Sequence, residues 1–479
     1  MLPTDAGTNA ERDAAVDHLV DHAVSRRRFH AVAAAASGAA LLPRGATADE
    51  AATAVAEPGA AVGGPLAAYV AAVDPATRVE PVAEGDLLGG RWQTVRLVSQ
   101  RWRGVEWSHE LSLFVPGTVG PGATTALYWI DGGGARGVPA DGAAAEPSSA
   151  IRTLAPIATA AGLPGAVIRQ VPYQPMFSGL QEDDLIAYTF TEFARTGDGT
   201  WPLLLPMVKA AVAGLDAVAA LAADRGLDIG RFVVTGASKR GWTTWLTAAT
   251  DGRVVGIVPL VIDMLALDRH LRLQVESFGG LSDELVPYSS RGIDKLLATD
   301  RGGELIEIVD PFRYRKRLAL PKLIALGTND PYWPLGAVDL YRDELPGPHW
   351  VSYCPNAGHG LPIPRIAGLV AAMGRHAAGA EPLPQVGWRF IPDGNGEACL
   401  LRADGAPERI TLWQATAASR DFRKAKWSAT EVAGRGPDWR IPLAPGRDGW
   451  TAAFAELHYA RPTVPLVLST AIRARPMES

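Results

Sequence analysis

Arg231-Phe232-Val233-Val234-Thr235-Gly236-Ala237-Ser238-Lys239-Arg240-Gly241-Trp242-Thr243-Thr244-Trp245-Leu246 is the stretch that decides the fold of this chain. Its first half is β-branched and aromatic, as a buried strand should be, and its second half continues as a helix. A serine at so sharp a turn projects its hydroxyl clear of the sheet, beside the free N–H groups of the helix start. One position departs from the usual Gly-x-Ser-x-Gly pattern of such elbows. Arg240 stands where the second glycine is expected, and Gly241 follows it. Alone, Gly-x-Ser in a glycine-rich chain is as readily chance as design.

Working outward, strand and helix patterns alternate. An amphipathic pair, Gln93 to Trp102 and Val105 to Val115, predicts a hairpin closed by Arg103-Gly104. The runs Thr124 to Ile130, Gly165 to Val171, Val254 to Ile262, Lys322 to Leu326 and His349 to Cys354 read as strands. Ala150 to Ala160, Met207 to Ala223 and Ile366 to Ala378 read as helices. Such alternation calls for a mostly parallel sheet covered on both faces, and with the elbow it gives an α/β-hydrolase plan over 65–380. The stretch 264–319 is too long for a simple crossover and reads as a helical, lid-like insertion over the carboxyl edge of the sheet. From about Pro382 short alternating runs separated by Gly, Pro and Asp replace the helices, so 382–479 reads as a small all-β, sandwich-like domain.

The elbow sets an expectation for its partners, an acid after a later strand and a histidine after the last. Asp330 follows the Lys322 strand in Gly327-Thr328-Asn329-Asp330, and His359 follows the His349 strand in a Gly-flanked loop. The chain order Ser, Asp, His is that of α/β-hydrolases. A free hydroxyl is a weak nucleophile, so His359 would take its proton and return it to the leaving group, while Asp330 fixes the imidazole. Asp263, at the end of the preceding strand, is a second option for the acid. The oxyanion would meet the N–H of Lys239 and one from Gly132-Gly133-Gly134, with Gly133 and Gly134 as the expected donors. Arg240 is a candidate substrate cation, and Trp201, Tyr332 and Trp333 are candidate pocket aromatics. Of the nine histidines, His109, His270, His349, His376 and His458 read as structural, although His109 and His270 are placed to reach a pocket.

At 479 residues, 47% apolar and with a formal charge of −5, the chain has enough apolar material for a large domain and a smaller one. No block of like charge suggests nucleic-acid binding. Ser25-Arg26-Arg27-Arg28-Phe29 opens an apolar run from Ala31 to Leu42, and Ala46-Thr47-Ala48 supplies small residues for cleavage. Residues 1–48 therefore read as a twin-arginine export signal and 49–64 as a flexible linker, placing the mature protein in the periplasm or outside the cell. That apolar run is too short to span a bilayer, so no transmembrane segment is expected. Two cysteines, Cys354 and Cys399, form no framework; they are either paired or free. Neither a metal nor a cofactor site is expected from ligand spacing.

Val234 to Thr247 resembles the signature of the PhoPQ-activated pathogenicity-related family, which is related to the autocrine proliferation repressor group. Ser99-Gln100-Arg101-Trp102-Arg103-Gly104, Val171-Pro172-Tyr173-Gln174-Pro175, Glu182-Asp183-Asp184-Leu185, Gly327-Thr328-Asn329-Asp330-Pro331-Tyr332-Trp333 and Asp421-Phe422-Arg423 are similar to the same family. Gln181 is a small departure, standing where the family leads one to expect arginine. The resemblance implies an exported protein with an α/β-hydrolase domain and a β-rich C-terminal domain. It does not imply a substrate. The residues themselves point to a serine hydrolase acting on a small-molecule or glycan-linked ester, with a peptide bond as the second option. The competing expectation is a signalling or adhesion protein that keeps the scaffold without catalysis.

Overall fold

The structure, a computed structural model, describes residues 64–119, 122–134, 146–394, 396–434, 436–443 and 449–476, which belong to one compact unit. The twin-arginine segment and the linker up to residue 63 lie outside the described residues.

Nine strands run side by side through the first part of the chain: β1 (Arg78–Leu87), β2 (Gly90–Trp102), β3 (Val105–Val115), β4 (Thr125–Ile130), β5 (Gly165–Ile168), β6 (Arg231–Ala237), β7 (Val254–Leu260), β8 (Lys322–Gly327) and β9 (His349–Cys354). Their order is β1-β2-β3-β5-β4-β6-β7-β8-β9. Pairing is antiparallel from β1 to β5 and parallel from β5 to β9. This is the α/β-hydrolase plan. Its parallel strands are buried on both faces, so they are continuous apolar runs rather than alternating ones. Helices Leu204–Ala223 and Lys239–Thr250 close one face, and Ser149–Ala161 and Ile363–Ala377 the other, each side with its own apolar core. The helix Leu204–Ala223 is long and apolar enough in composition to cross a bilayer, but its apolar residues face the sheet.

Strand β1 and one helix near the site lie outside the alternation read from sequence. Strand β1 carries Pro81 and several acids, a composition that argues against a central strand; it is tolerated at the sheet edge, where a bulge between Pro81 and Ala83 absorbs the proline. A helix over Glu182–Thr196 opens with three acids in its first turn, which suits the positive end of its dipole. The β2–β3 hairpin turns through Arg103 and Gly104, both at positive φ.

The C-terminal strands are β10 (Val386–Asp393), β11 (Gly396–Ala403), β12 (Arg409–Ala417), β13 (Ser428–Glu431), β14 (Asp438–Leu443), β15 (Trp450–Tyr459), β16 (Leu466–Ser469) and β17 (Arg473–Pro476). They form two antiparallel layers, β10-β11-β14 and β16-β15-β12-β13 with β17 also on β15. Cys399, Leu401 and Ile441 of one layer share a core with Ile410, Leu412 and Leu457 of the other. Strand β16 also pairs with β9 at Ser469 and Val351, so the second layer prolongs the central sheet. Both cysteines are free and buried.

Candidate active site

The chain leaves β6 at Ala237 and enters the helix Lys239–Thr250 at once, which forces Ser238 to φ 57°, ψ −126°. A non-glycine residue held there stores about 1–3 kcal/mol, and the surroundings must over-determine it. They do so through Ser238 N–H, which donates to Leu260 O at 2.8 Å, and Trp242 N–H, which donates to Ser238 O at 2.9 Å. Two glycines make the turn sterically possible. A Cβ on Gly236 would lie 2.7 Å from Arg240 O, and one on Gly241 would lie 2.7 Å from Ile262 Cγ2 and 3.0 Å from Gly236 O. The close approach falls at Gly241, so position 240 is free to carry a long side chain. Gly241→Ala is expected to destabilise the fold by about 1–3 kcal/mol, read as a lower denaturant midpoint, because the added methyl presses on the Ile262 side chain and is hemmed in by two backbone carbonyl oxygens.

Ser238 stands 2.9 Å from His359 Nε2, and His359 Nδ1 stands 2.8 and 3.0 Å from the two Asp330 oxygens. A carboxylate can only accept, so Nδ1 carries the proton and Nε2 accepts from the serine hydroxyl. Asp330 is buried and also accepts from Tyr332 N–H at 2.9 Å. The Tyr332 ring lies over the imidazole, centroids 4.3 Å apart. Asp263, the second option for the acid, is engaged elsewhere: it accepts from Tyr341 Oη at 2.7 Å, and burial pushes its carboxyl up to about 7.

The loops that carry Asp330 and His359 are joined to each other. Asn329 N–H donates to Ala357 O, Asn356 N–H donates to Thr328 Oγ1, and Gly327 leaves no room for a Cβ against Gly358 O. Both loops rest on the segment after β12. Asn329 Nδ2 donates to Ala425 O at 2.7 Å and to Phe422 O at 3.2 Å, while the Asn356 amide exchanges hydrogen bonds with Trp427. The Asp421-Phe422-Arg423 stretch, distant in sequence, thus sits behind the acid.

Gly132 and Gly133 follow β4 and line a polar opening with Ser238 and Arg240; Gly134 is not part of its lining. Gly132 O accepts from Gln170 N–H, which holds the loop in place. The Lys239 N–H belongs to the first, unpaired turn of its helix. An oxyanion between these loops would face the helix N-terminus.

Arg240 does not have the free guanidinium that substrate binding requires. Its Nε donates to Val171 O at 2.6 Å, and Nη1 and Nη2 both reach Glu182, at 2.7 and 2.6 Å. Lys239 Nζ, itself buried, pairs with Glu182 at 2.9 Å and Asp183 at 3.2 Å. Gln174 donates to Glu182 through its side-chain amide and accepts from Glu182 N–H. Burial raises the Glu182 carboxyl, but hydrogen bonding and charge from Arg240, with Lys239 beside it, outweigh this and hold it down at about 2. Sequence reading flagged Glu182 only as part of a motif, because an acid in a helix's first turn looks like an ordinary solvated residue.

Trp201 also lies away from the serine. It packs with Trp102, Phe177 and Tyr188, with the Arg103 guanidinium 3.9 Å above its ring, and lines neither opening beside Ser238. Tyr332 and Trp333 do line the more enclosed, apolar one. This cavity has a volume of about 90 Å³, and its wall is mostly apolar. Trp242, near the start of the helix that follows Ser238, also lines it. Segment 264–319 supplies much of the wall, including Met264, Leu271, Leu285 and Val309. It is anchored at both sides: Trp242 Nε1 donates to Val309 O and Ser282 Oγ to Pro331 O, each at 2.6 Å. His109 is fully buried between Ser99 Oγ and Arg169 O and lines neither opening, whereas His270 lines the apolar cavity. Among the described residues no cluster of acids, histidines and cysteines is arranged to hold a metal.

A family model described as PhoPQ-activated pathogenicity-related protein matches residues 66–423. Autocrine proliferation repressor protein A of Dictyostelium discoideum is 30% identical over 403 residues, which cover 76% of this chain and 80% of that protein. Among solved structures, an acetyl xylan esterase from Paenibacillus sp. R4 is 18% identical, covering 64% of this chain and 90% of its own, with a TM-score of 0.44. Acetyl xylan esterase 1 from Thermoanaerobacterium sp. JW/SL YS485 is 15% identical, covering 65% and 92% respectively, also at a TM-score of 0.44.

Proposed function

The chain belongs to the PhoPQ-activated pathogenicity-related protein family, and on its hydrolase-like scaffold we propose a serine hydrolase that cleaves esters through an acyl-enzyme at Ser238. The observation that carries the reading is the unbroken hydrogen-bonded line from Ser238 Oγ through His359 to Asp330 at the end of a strained strand-to-helix elbow. As Oγ attacks the ester carbonyl, its proton passes to His359 Nε2 and the carbonyl electrons move to oxygen. The N–H groups of Lys239 and Gly133 meet that charge. Collapse breaks the ester C–O bond, and the departing alkoxide takes the proton from His359. Water then repeats the sequence, releasing the acid and restoring the serine. Asp330 holds the imidazole tautomer, and Tyr332 and Trp333 contact substrate in the apolar cavity.

A fluorophosphonate probe tests this directly. It should label the intact protein and leave Ser238→Ala unlabelled; equal labelling of both, or of neither, removes the hydrolase reading. The twin-arginine segment supports export to the periplasm or beyond, and replacing Arg26 and Arg27 with lysines should retain the protein in the cytoplasm. A second reading draws on the relative named as a proliferation repressor: an exported signalling protein that keeps the scaffold without needing the chemistry. Full biological activity in Ser238→Ala would favour it.

A further inference from the structure

The polar opening beside Ser238 carries a guanidinium that the proposed chemistry does not use. Arg169 follows β5 and Asp131 follows β4, and these parallel neighbours stay in register up to Ile168 and Ile130. Both side chains therefore start side by side at the carboxyl edge of the sheet. Backbone bonds fix those starts: Arg169 N–H donates to Glu110 O at 2.9 Å and Asp131 N–H to Ile168 O at 2.8 Å. Crevices at such strand ends are where open α/β sheets take their ligands. The opening has a volume of about 350 Å³, against about 90 Å³ for the apolar cavity. Arg169, Asp131 and Gly133 line it, and Ser238 borders both spaces.

Arg169 has one end committed and one end free. Nη1 donates to Glu110 at 3.1 Å, and the buried Nε lies 3.7 Å from an Asp131 oxygen. Nη2 has no partner among the described residues and, unlike Nε, is not buried. A methyl on Gly133 would stand 3.5 Å from Nη2, which places this end of the guanidinium against the loop after β4. The Asp131 side chain is 42% exposed, and its carboxylate accepts no hydrogen bond among the described residues. Arg240 and Glu182, the other charged groups of the lining, are engaged with each other. Two acids and two arginines leave the lining formally neutral, and Glu110 adds a negative charge at Arg169. An anion is therefore not drawn in. Neutral hydroxyls suit the free groups, because one can accept from Nη2 while its neighbour donates to Asp131.

We infer that the polar opening binds the alcohol part of the ester, and that Arg169 Nη2 and the Asp131 carboxylate together select alcohols bearing two neighbouring hydroxyls. The substrate class is then esters of neutral polyols rather than of hydrocarbon or acidic alcohols. Deacylation decides which end lies here. Water must take the place that the departing alcohol vacates, and it enters a polar space far more readily than an apolar one. The acyl chain, still bonded to Ser238, stays in the apolar cavity. This orientation rests on the hydrolase reading, whereas recognition of the hydroxyls rests on the opening's own groups.

The test keeps one acyl group, butyryl, and varies the alcohol among 2,3-dihydroxypropyl, propyl and 2-carboxyethyl. In the intact protein the dihydroxypropyl ester should exceed the propyl ester in kcat/KM by about tenfold, the worth of one hydrogen bond to a charged group, and the carboxyethyl ester should not. Asp131→Ala and Arg169→Gln should each bring that ratio towards one, whatever their absolute rates. A ratio taken within one protein does not depend on how much of it folds. In parallel, NMR titration of Ser238→Ala with N-(2,3-dihydroxypropyl)butanamide and N-propylbutanamide measures binding without turnover. A diol preference in binding with no ester cleaved would sink the hydrolase reading and keep this subsite. Esters cleaved without a diol preference, a preference for the carboxyethyl ester, a diol preference that survives either variant, or no cleavage and no binding at all would overturn it.

Discussion

Ser238→Ala is expected to lower kcat by about a million-fold on any ester the protein turns over, with KM nearly unchanged and the denaturant midpoint within experimental error of the parent. The size follows from losing a covalent route. Without Oγ, His359 has no proton to take, and what remains is stabilisation of charge by the loops after β4 and β6. The fold should tolerate the change because the backbone at 238 is held by Leu260 O and by Trp242 N–H rather than by the hydroxyl. Steady-state kinetics with an active-site titrant gives the result, and a loss under tenfold would mean that turnover does not pass through this serine.

Deleting the C-terminal β layers, by contrast, would not separate catalysis from signalling. The Asn329 and Asn356 amides draw their partners from Phe422, Ala425 and Trp427, so the acid and base loops lose their support when that region goes. The pair between Arg365 and the buried Glu456 further ties the helix Ile363–Ala377 to β15. In this molecule the β layers are part of what holds the proposed triad, and only point changes inside the site can separate the two readings.

What could be read from the sequence follows from how local each signal is. The elbow, the parallel strands and the Ser, Asp, His order rest on short-range pattern, and those residues meet in space within hydrogen-bond distance. Strand β15 escaped notice because Trp450–Tyr459 is rich in alanine and gains its place only by pairing with β12, β16 and β17. Arg240 and Trp201 read as substrate contacts on residue type alone. Their partners, Glu182 and the Trp102 cluster, lie far away in the chain, and nothing in the local sequence indicates that those side chains are already occupied. Arg169 is the opposite case, an arginine at the end of an apolar strand whose free Nη2 becomes visible only when Glu110 and Asp131 are placed beside it.

Glu182→Ala should damage both stability and rate, and it distinguishes a positioning role from a merely surface one. Its carboxylate is the shared counter-ion of Lys239 and Arg240, whose side chains are only 8% and 12% exposed. Removing it strands Arg240 and leaves Lys239 with Asp183 alone. For a fully buried pair the loss would be about 3–5 kcal/mol; Glu182 is itself 40% exposed, so solvent screens part of it and about 2–3 kcal/mol is expected. Because Lys239 and Arg240 directly follow the serine, the elbow should loosen and kcat fall by about a hundredfold, the cost of a misplacement near 1 Å. Arg240→Lys should fall between the parent and Glu182→Ala, since an ammonium cannot reproduce the two-pronged contact. The pH dependence carries a sign. The folded carboxyl is held at about 2, below its ordinary 4.5, so its contribution is complete above 4.5 and is lost as the pH falls from there towards 2. Denaturant midpoints of the parent and Glu182→Ala should therefore converge over that interval and stay apart at neutral pH. A gap that persisted unchanged down to pH about 2 would mean the glutamate acts through packing rather than charge.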